Sequence, residues 1–214
     1  TLPPTPALDR LLSRARGEQT EPRDPLEILA GAFRLRVEPW ADLPSAPLCL
    51  LGLGETPEPE TCWFHADPVH LRPDRDRLLL FAGPSLQIVP AEAESLIAAF
   101  NAHFASDGLH LVAAHPSQGF LRVTGIPRLR TRPRHRVVGR PLDAQILAGP
   151  DSKAWARWQG EAQMLFYAHP VNQERERRGL PALSGVWTWG GGTLPVLKSG
   201  PDLTVADHPL ALGL

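Results

Sequence analysis

The chain has 214 residues, 43% of them hydrophobic, and a formal net charge of −1. This apolar content supports a packed core and argues against wholesale disorder, and a charge near zero argues against nucleic acid as the main partner. No apolar run approaches the roughly 20 residues of a membrane span, no leader peptide is recognisable and only Cys49 and Cys62 are present, so we expect a reduced, cytoplasmic protein that avoids membranes.

The first part of the chain predicts two short helices and a connection. "TPALDRLLSRA" and "PLEILAGAF" have the proline starts and apolar residues of helices, and Gly31 is expected to stop the second one. The apolar stripe of the first helix consists of Leu8, Leu11, Leu12 and Ala15. We interpret residues 1–36 as a helical N-terminal segment and the proline-rich residues 37–61 as an irregular connection.

Residues 62–214 predict an α+β domain. Apolar alternation on both sides of "PDRD" predicts a hairpin in "CWFHADPVHLRPDRDRLLLF", and "PAEAESLIAAFNAHFASDG" predicts a helix. The strands "LHLVAA" and "GFLRVTG" follow, then a helix from about Asp151 to Tyr167, a short continuation capped by Asn172, and a final strand "GVWTW". This order favours an antiparallel or mixed sheet with helices on one face.

The two long predicted helices are expected to share a core, because each has an apolar stripe at helical spacing. The residues expected to face inward are Leu96, Ile97 and Phe100 on the first helix and Trp155, Trp158, Leu165 and Phe166 on the second. Large aromatic side chains dominate this set, so the core should depend strongly on them.

Three glycines follow the last predicted strand in "GVWTWGGGTLP". A phosphate-binding loop of the Walker type needs Gly-Lys-Ser/Thr before a helix, and a dinucleotide fingerprint needs its own glycine spacing inside a βαβ unit. Residues 190–192 meet neither requirement, and they lead into Pro195. We therefore interpret the glycines as a tight turn after a buried strand.

The stretch "HADPVH" contains side chains that can bind metals. In a strand, His65 and Asp67 share a face, whereas His70 points the other way unless Pro68 marks a bulge. His65 and Asp67 are therefore only weak candidates for metal ligands, and polar residues on the open face of a hairpin are the more ordinary interpretation. The sequence shows no nucleophile elbow and no Ser-His-Asp pattern, so no catalytic residue is assigned.

Arginines are concentrated in "RLRTRPRHRVVGR" and "NQERERRG". The guanidinium fork suits carboxylate and phosphate groups, although a solvated basic loop is a common alternative for the first stretch. In the second stretch, Arg175, Arg177 and Arg178 are expected to form a charged helix end, because cations are favourable at a helix C-terminus.

Several stretches resemble archaeal-type cofactor-independent phosphoglycerate mutases of the alkaline phosphatase superfamily. "HPVNQERERRGLPALSGVWTWGGGTLP" is similar to their "HPVN…R…G…AN…W.WG.G..P" segment, and "HRVVGRPLDAQILAGP" to their "HD..G..I…LP.G" connection. "EAQMLFYAHPVNQERERRGLP" resembles still more closely the bacterial RpfE-type regulatory proteins. The resemblance covers roughly residues 60–197 and concerns mainly the inserted domain of the mutases.

The resemblance implies a mutase-like fold without the mutase metal core. The mutases hold paired divalent metals with an N-terminal Asp-Gly motif and a late "GDH.TP" motif. No counterpart of the first motif is present, "ADHPLAL" keeps only Asp207 and His208 of the second, and His65 replaces the arginine of their "FRCN" stretch. We therefore expect a non-catalytic, regulatory module without a resident cofactor.

Such a module would bind a small phosphorylated or anionic ligand, or a protein partner. The alternative is a divergent metal-dependent mutase or phosphatase, which would need Mn, Zn or Mg.

The same resemblance places a candidate anion site. Arg122 lies where the mutases carry "YRH", His135 lies where they carry the histidine of "PHD", and Arg136 replaces the aspartate that follows. Together with Arg140, these residues form the candidate ligand-binding set, because arginines must supply the charge where metals do not.

Overall fold

The computed structural model of the chain describes residues 6–14, 24–35, 37–38, 41–75, 77–142, 147–197 and 206–214. The strands are β1 (Cys62–Asp74), β2 (Arg77–Ala82), β3 (Leu109–His115), β4 (Gln118–Val123) and β5 (Gly185–Gly192). The helices are α1 (Pro6–Arg14), α2 (Pro25–Ala32), α3 (Ser45–Gly52), α4 (Pro90–His103), α5 (Arg134–Val137), α6 (Ser152–Tyr167), α7 (Pro170–Arg177) and α8 (Pro209–Leu212). Within these ranges, no helix has both the length and the apolar character that crossing a bilayer requires.

Strand β1 is the centre of the sheet and pairs with three other strands. His65 pairs with both β4 and β5, and Val69 pairs with both β2 and β5. Strands β4 and β2 therefore lie one after the other on one side of β1, while β5 runs along its other side. Strand β3 pairs with β4, and all of these strand pairings are antiparallel. The predicted α+β class with an antiparallel sheet is confirmed.

Helices cover both faces of the sheet, whereas the sequence analysis placed them on one face. Alternate residues of β1 enter different cores: Phe64 packs with α4 and α6, and Trp63 packs with α3 and α8. The second cover was missed because α3 lies in the proline-rich stretch expected to be irregular. Pro47 sits in the first turn of α3, where a backbone N–H has no partner within the helix, so it does not disturb the helix.

The predicted core between α4 and α6 is confirmed. Leu96, Phe100, Trp155 and Phe166 are buried, and Ile97, Trp158 and Leu165 pack against them. The ring centroids of Phe64 and Trp155 are 4.6 Å apart, which places the sheet directly on α6. The predicted first helix is present as α1, but its leucine stripe and Ala15 lie outside the side chains that the structure describes.

Helix α7 begins earlier than predicted and uses Asn172 in a different role. His169, not Asn172, caps the helix by accepting a hydrogen bond from the backbone N–H of Val171. The buried Asn172 amide donates to the carbonyls of Phe166 and Leu183 and accepts from the N–H of Leu183. Asn172 therefore connects the end of α6 to the strand that follows α7.

Arg175 is fully buried, so the interpretation of this residue as part of a charged helix end was wrong. Its Nη1 pairs with Glu92 in the first turn of α4, its Nη2 donates to the carbonyl of Leu86, and its Nε donates to the carbonyl of Pro181 over 2.9 Å. Arg177, two residues later, is exposed and pairs with Glu174. Two arginines of the same charged run therefore have different roles, because Arg175 is buried and Arg177 is exposed.

The three glycines are the last residues of β5, and the interpretation as a turn was wrong. An added Cβ at Gly191 would lie 1.9 Å from the Phe64 ring, and one at Gly192 would lie 2.8 Å from Pro44. At Gly190 the backbone has φ of 62°, in the left-handed region that favours glycine. The glycines therefore allow β5 to pack closely against β1 and the start of α3.

We predict that Arg175→Ala lowers the free energy of unfolding by about 3–5 kcal/mol, because it removes the buried guanidinium from Glu92 and leaves the carbonyls of Leu86 and Pro181 without their donor. Arg178, which lies 3.5 Å from Glu92 but is half exposed, compensates only in part. The matched control is Arg177→Ala, which removes an exposed pair and should cost less than about 1 kcal/mol. Urea denaturation of both variants measures the difference. Equal losses in the two variants would contradict the buried role of Arg175.

Candidate functional site

A cleft of about 810 Å³ opens beside α2 and α5, and its volume is typical of small-molecule sites. Four arginines line it, namely Arg130, Arg132, Arg136 and Arg140. Four carboxylates also line it, namely Asp24, Glu27, Asp42 and Glu38. Trp189 and Gly190 of β5 contribute to the same cleft, so the cleft adjoins the face of the sheet that α3 covers.

Asp24 connects α2 to α5 at this cleft. Its Oδ1 accepts a hydrogen bond of 3.0 Å from the N–H of Leu26 and so caps α2, while its Oδ2 lies 2.7 Å from His135 Nε2 and 2.7 Å from Arg136 Nε. Burial acts to raise the pKa of Asp24, but the hydrogen bonds from Leu26, His135 and Arg136 outweigh it and lower that pKa below its usual value. The carboxylate is therefore charged near neutral pH.

Three of the four candidate anion ligands lie close together. Arg136 and Arg140 line the cleft, and His135 joins them through its contact with Asp24. Arg122 lies instead on β4, opposite Trp63 of β1 and His110 of β3. Arg122 is on the same face of the sheet as the cleft, but it does not line the cleft with Arg136 and Arg140.

Asp42 is a residue of the cleft that sequence reasoning missed. Its Oδ1 accepts a hydrogen bond of 2.8 Å from the N–H of Thr131, and its Oδ2 accepts from the Thr131 hydroxyl and from the N–H of Gly191 at 3.3 Å. Burial raises the pKa of Asp42, and these hydrogen bonds only partly offset the effect. No local pattern around "PWADLP" marks this role, because both partners come from distant parts of the chain.

His65 and Asp67 are buried, each only 1% exposed, so the interpretation as polar residues on an open hairpin face was wrong. The His65 ring stacks on Trp189 with centroids 3.9 Å apart, and Trp189 Nε1 donates to Asp67 Oδ2 over 2.8 Å. Arg134 Nη1 lies 3.3 Å from the same oxygen. His70 does not join them, because its Nδ1 contacts the carbonyl of Ala182 at 2.8 Å.

The donor set at His65 and Asp67 does not fit the paired divalent metals that the mutase resemblance implies. Among the described residues, no group of three or more His, Cys, Asp or Glu side chains is placed to hold a metal ion. The cation that faces Asp67 is the guanidinium of Arg134, which would repel a metal ion.

The fold brings Ser45, His65 and Asp67 together without forming a catalytic triad. Both Ser45 and His65 lie against Gly190, where an added Cβ would fall 2.1 Å from Ser45 Oγ and 3.2 Å from His65 Cδ2. The Ser45 hydroxyl forms no hydrogen bond with a His65 nitrogen, whereas an activated nucleophile needs a hydrogen bond to its base. The three side chains therefore supply no proton relay.

Burial controls the protonation of this pair. Burial, together with electrostatic repulsion from Arg134 and His208, lowers the pKa of His65 to about 3. Burial also raises the pKa of Asp67 to about 6, although Arg134 and the Trp189 hydrogen bond oppose this rise. At pH 7 the site contains a neutral imidazole beside a carboxylate that is ionised and paired with Arg134.

The sequence of this chain is similar to part of a phosphoglycerate mutase. No protein-family model matches the chain. Over 137 residues it is 27% identical to 2,3-bisphosphoglycerate-independent phosphoglycerate mutase 2 of Methanothermobacter thermautotrophicus, a match that covers 59% of this chain and 34% of that protein. The chain thus spans about a third of the length of this curated relative.

Solved structures show the same fold. The cofactor-independent phosphoglycerate mutase from Thermoplasma acidophilum matches with a TM-score of 0.55 at 17% identity, over 79% of this chain and 47% of that one. The PH0037 protein from Pyrococcus horikoshii matches with a TM-score of 0.53 at 11% identity, over 89% of this chain and 45% of that one. Sequence and structure together support the resemblance to cofactor-independent phosphoglycerate mutases, and with it to the alkaline phosphatase superfamily.

We predict that His65→Gln is less stable than the wild type, and that this difference in the free energy of unfolding is smaller at pH 5 than at pH 8. Because the folded-state pKa of His65 lies below its ordinary value of 6.5, the unfolded chain binds this proton first, and the contribution of His65 to wild-type stability falls as the pH drops from about 6.5 toward 3. The variant lacks this titration, so its deficit should shrink by about 2 kcal/mol between pH 8 and pH 5.

Urea denaturation at the two pH values measures this change in the deficit. Asp67 titrates in both proteins, and its contribution cancels in the comparison. A deficit that stays constant with pH would show that His65 is not buried in its neutral form.

Proposed function

We propose that this chain is a phosphoglycerate-mutase-like module that binds a small phosphorylated or anionic ligand and does not catalyse its conversion. The observation that carries the proposal is the cleft beside α5, where Arg136 and Arg140 line one cavity and His135 lies next to them. We further propose a regulatory role in the cytoplasm, in keeping with the resemblance to RpfE-type proteins.

The charges around the cleft support an anionic ligand. Two of the four carboxylates that line the cleft, those of Asp24 and Asp42, accept several hydrogen bonds from neighbouring groups. Glu27 and Glu38 are then the remaining acidic side chains, against four arginines. Each arginine has five N–H donors, more than one carboxylate oxygen can accept. Arginine forks of this kind recognise phosphate and carboxylate groups by charge-assisted hydrogen bonds.

A catalytic role would need groups that the described residues do not bring together. Phosphoryl transfer with two metals neutralises the charge that develops on the transferred group, and it also activates a nucleophile. Here Asp67 is paired with Arg134, His65 is neutral, and Ser45 has no hydrogen bond to a base. The cleft beside α5 can hold an anion, but Ser45, His65 and Asp67 offer no activated nucleophile.

A divergent metal-dependent phosphoglycerate mutase or phosphatase is the second candidate, and the similarity to the archaeal mutase favours it. Metal analysis of the purified protein separates the two proposals. Stoichiometric Mn²⁺ or Zn²⁺, lost on chelation together with phosphoryl-transfer activity, would favour the enzyme.

We predict that the protein binds 3-phosphoglycerate and sulfate, and that Arg140→Ala weakens this binding about tenfold. A tenfold change corresponds to about 1.4 kcal/mol, as expected for the loss of one charge-assisted contact. Titration calorimetry measures the affinities, with Arg157→Ala on the exposed face of α6 as the control for a change of net charge alone. No binding at millimolar ligand, or equal weakening in both variants, would reject the arginine site.

We also predict no interconversion of phosphoglycerates by this chain. The expected rate with 3-phosphoglycerate equals that of a buffer control containing the same Mn²⁺ or Mg²⁺ concentration. A coupled assay for 2-phosphoglycerate measures it, and turnover well above the control would refute the non-catalytic proposal.

A further inference from the structure

We infer that Asp24 is a positioning residue of the anion site. Its carboxylate holds Nε of Arg136 and leaves the two terminal nitrogens of that guanidinium for a ligand in the cleft. The inference rests on the proposed function, because it assigns a role to Asp24 within that same site. It also specifies the ligand group, since the two terminal nitrogens of an arginine suit an anion with two accessible oxygens, such as a phosphate monoester or a carboxylate.

Asp24 is fixed before any ligand binds. Its side chain is 3% exposed, and both of its oxygens are engaged. The N–H of Leu26 holds Oδ1, and His135 together with Arg136 holds Oδ2. These donors come from two separate helices, α2 and α5, so the carboxylate cannot turn without losing contacts to both.

The guanidinium of Arg136 is held at Nε, and the rest of the group is accessible from the cleft. Its Nε lies 2.7 Å from Asp24, yet 52% of its side chain is exposed and the residue lines the cleft. A guanidinium is planar, so holding Nε restricts the directions in which Nη1 and Nη2 can point. An arginine restrained in this way loses less conformational freedom when an anion binds, and the affinity is higher for that reason.

The same contact could in principle make Asp24 a competitor that occupies Arg136 in place of the ligand. The geometry favours positioning instead, because Leu26 and His135 would retain the carboxylate even if Arg136 turned to a ligand. The two roles predict opposite results when Asp24 is removed. A competitor would increase the affinity on removal, whereas a positioning residue would decrease it.

The test is a double-mutant cycle with inorganic phosphate as the probe, measured by titration calorimetry at constant ionic strength. Asp24→Ser keeps the cap of α2, because serine is an equally good N-cap, but it is too short to hold Arg136. Arg136→Gln removes the guanidinium itself. We expect each single variant to bind phosphate about tenfold more weakly than the wild type.

The decisive readout is the effect of Asp24→Ser in the Arg136→Gln background, where we expect less than a twofold change. A role in general stability would weaken binding equally in both backgrounds, and this result would overturn the inference. Tighter or unchanged binding by Asp24→Ser alone would overturn it as well.

A further variant keeps the test decisive if Asp24→Ser does not fold. Arg136→Lys retains the charge but cannot hold Asp24 with one edge and phosphate with another, so it should bind as weakly as Arg136→Gln. Wild-type affinity in Arg136→Lys would overturn the inference.

The outcomes separate this inference from the proposed function. Phosphate binding that depends on Arg140 but not on Asp24 would defeat the inference alone. A wild-type protein that binds no phosphate would defeat both.

Discussion

The ion pair between the buried Asp67 and the half-buried Arg134 positions the basic segment of the chain. Asp67 is enclosed between the sheet and its second cover of helices, and a buried carboxylate without a partner would be strongly destabilising. Arg134 and Trp189 both contact its Oδ2, so the first residue of α5 is held against β5. The next two residues, His135 and Arg136, are then within reach of Asp24. Two buried aspartates thus fix a single helical turn that carries three basic side chains, which differs from a freely solvated basic loop.

The segment that carries most of the sequence resemblance acts in packing. In "HPVNQERERRGLP", His169 caps α7, Asn172 joins α6 to the approach to β5, and Arg175 connects α7 to the first turn of α4. Each of these side chains satisfies backbone groups or a carboxylate inside the fold. The similarity to phosphoglycerate mutases in this segment therefore reflects shared packing within the domain. The chemistry of the cleft depends on other residues, mainly those around α5.

Local patterns predicted most of the regular structure because they act over a few residues. Alternation identified the hairpin of β1 and β2, and helical spacing identified α4, α6 and the residues of their shared core. The errors concern features that depend on distant partners. Composition alone could not show that α3 covers the second face, that His65 and Asp67 are buried beneath it, or that one arginine in a charged run is enclosed by α4.

The candidate site was only partly accessible from the sequence for the same reason. The resemblance singled out His135, Arg136 and Arg140, which do lie together, but it also included Arg122, which lies apart on β4. Asp24 and Asp42 have no recognisable motif, because their roles arise from contacts across 111 and 89 residues of sequence.

A crystal structure with bound tungstate would test the central claim most directly. Tungstate resembles phosphate in shape and charge, and its anomalous scattering locates it without ambiguity. We predict a tungstate ion in the cleft, in contact with the terminal nitrogens of Arg136 and close to Arg140, with Asp24 still bound to Arg136 Nε. Tungstate absent from the cleft at saturating concentration, or bound only at unrelated surface sites, would contradict it.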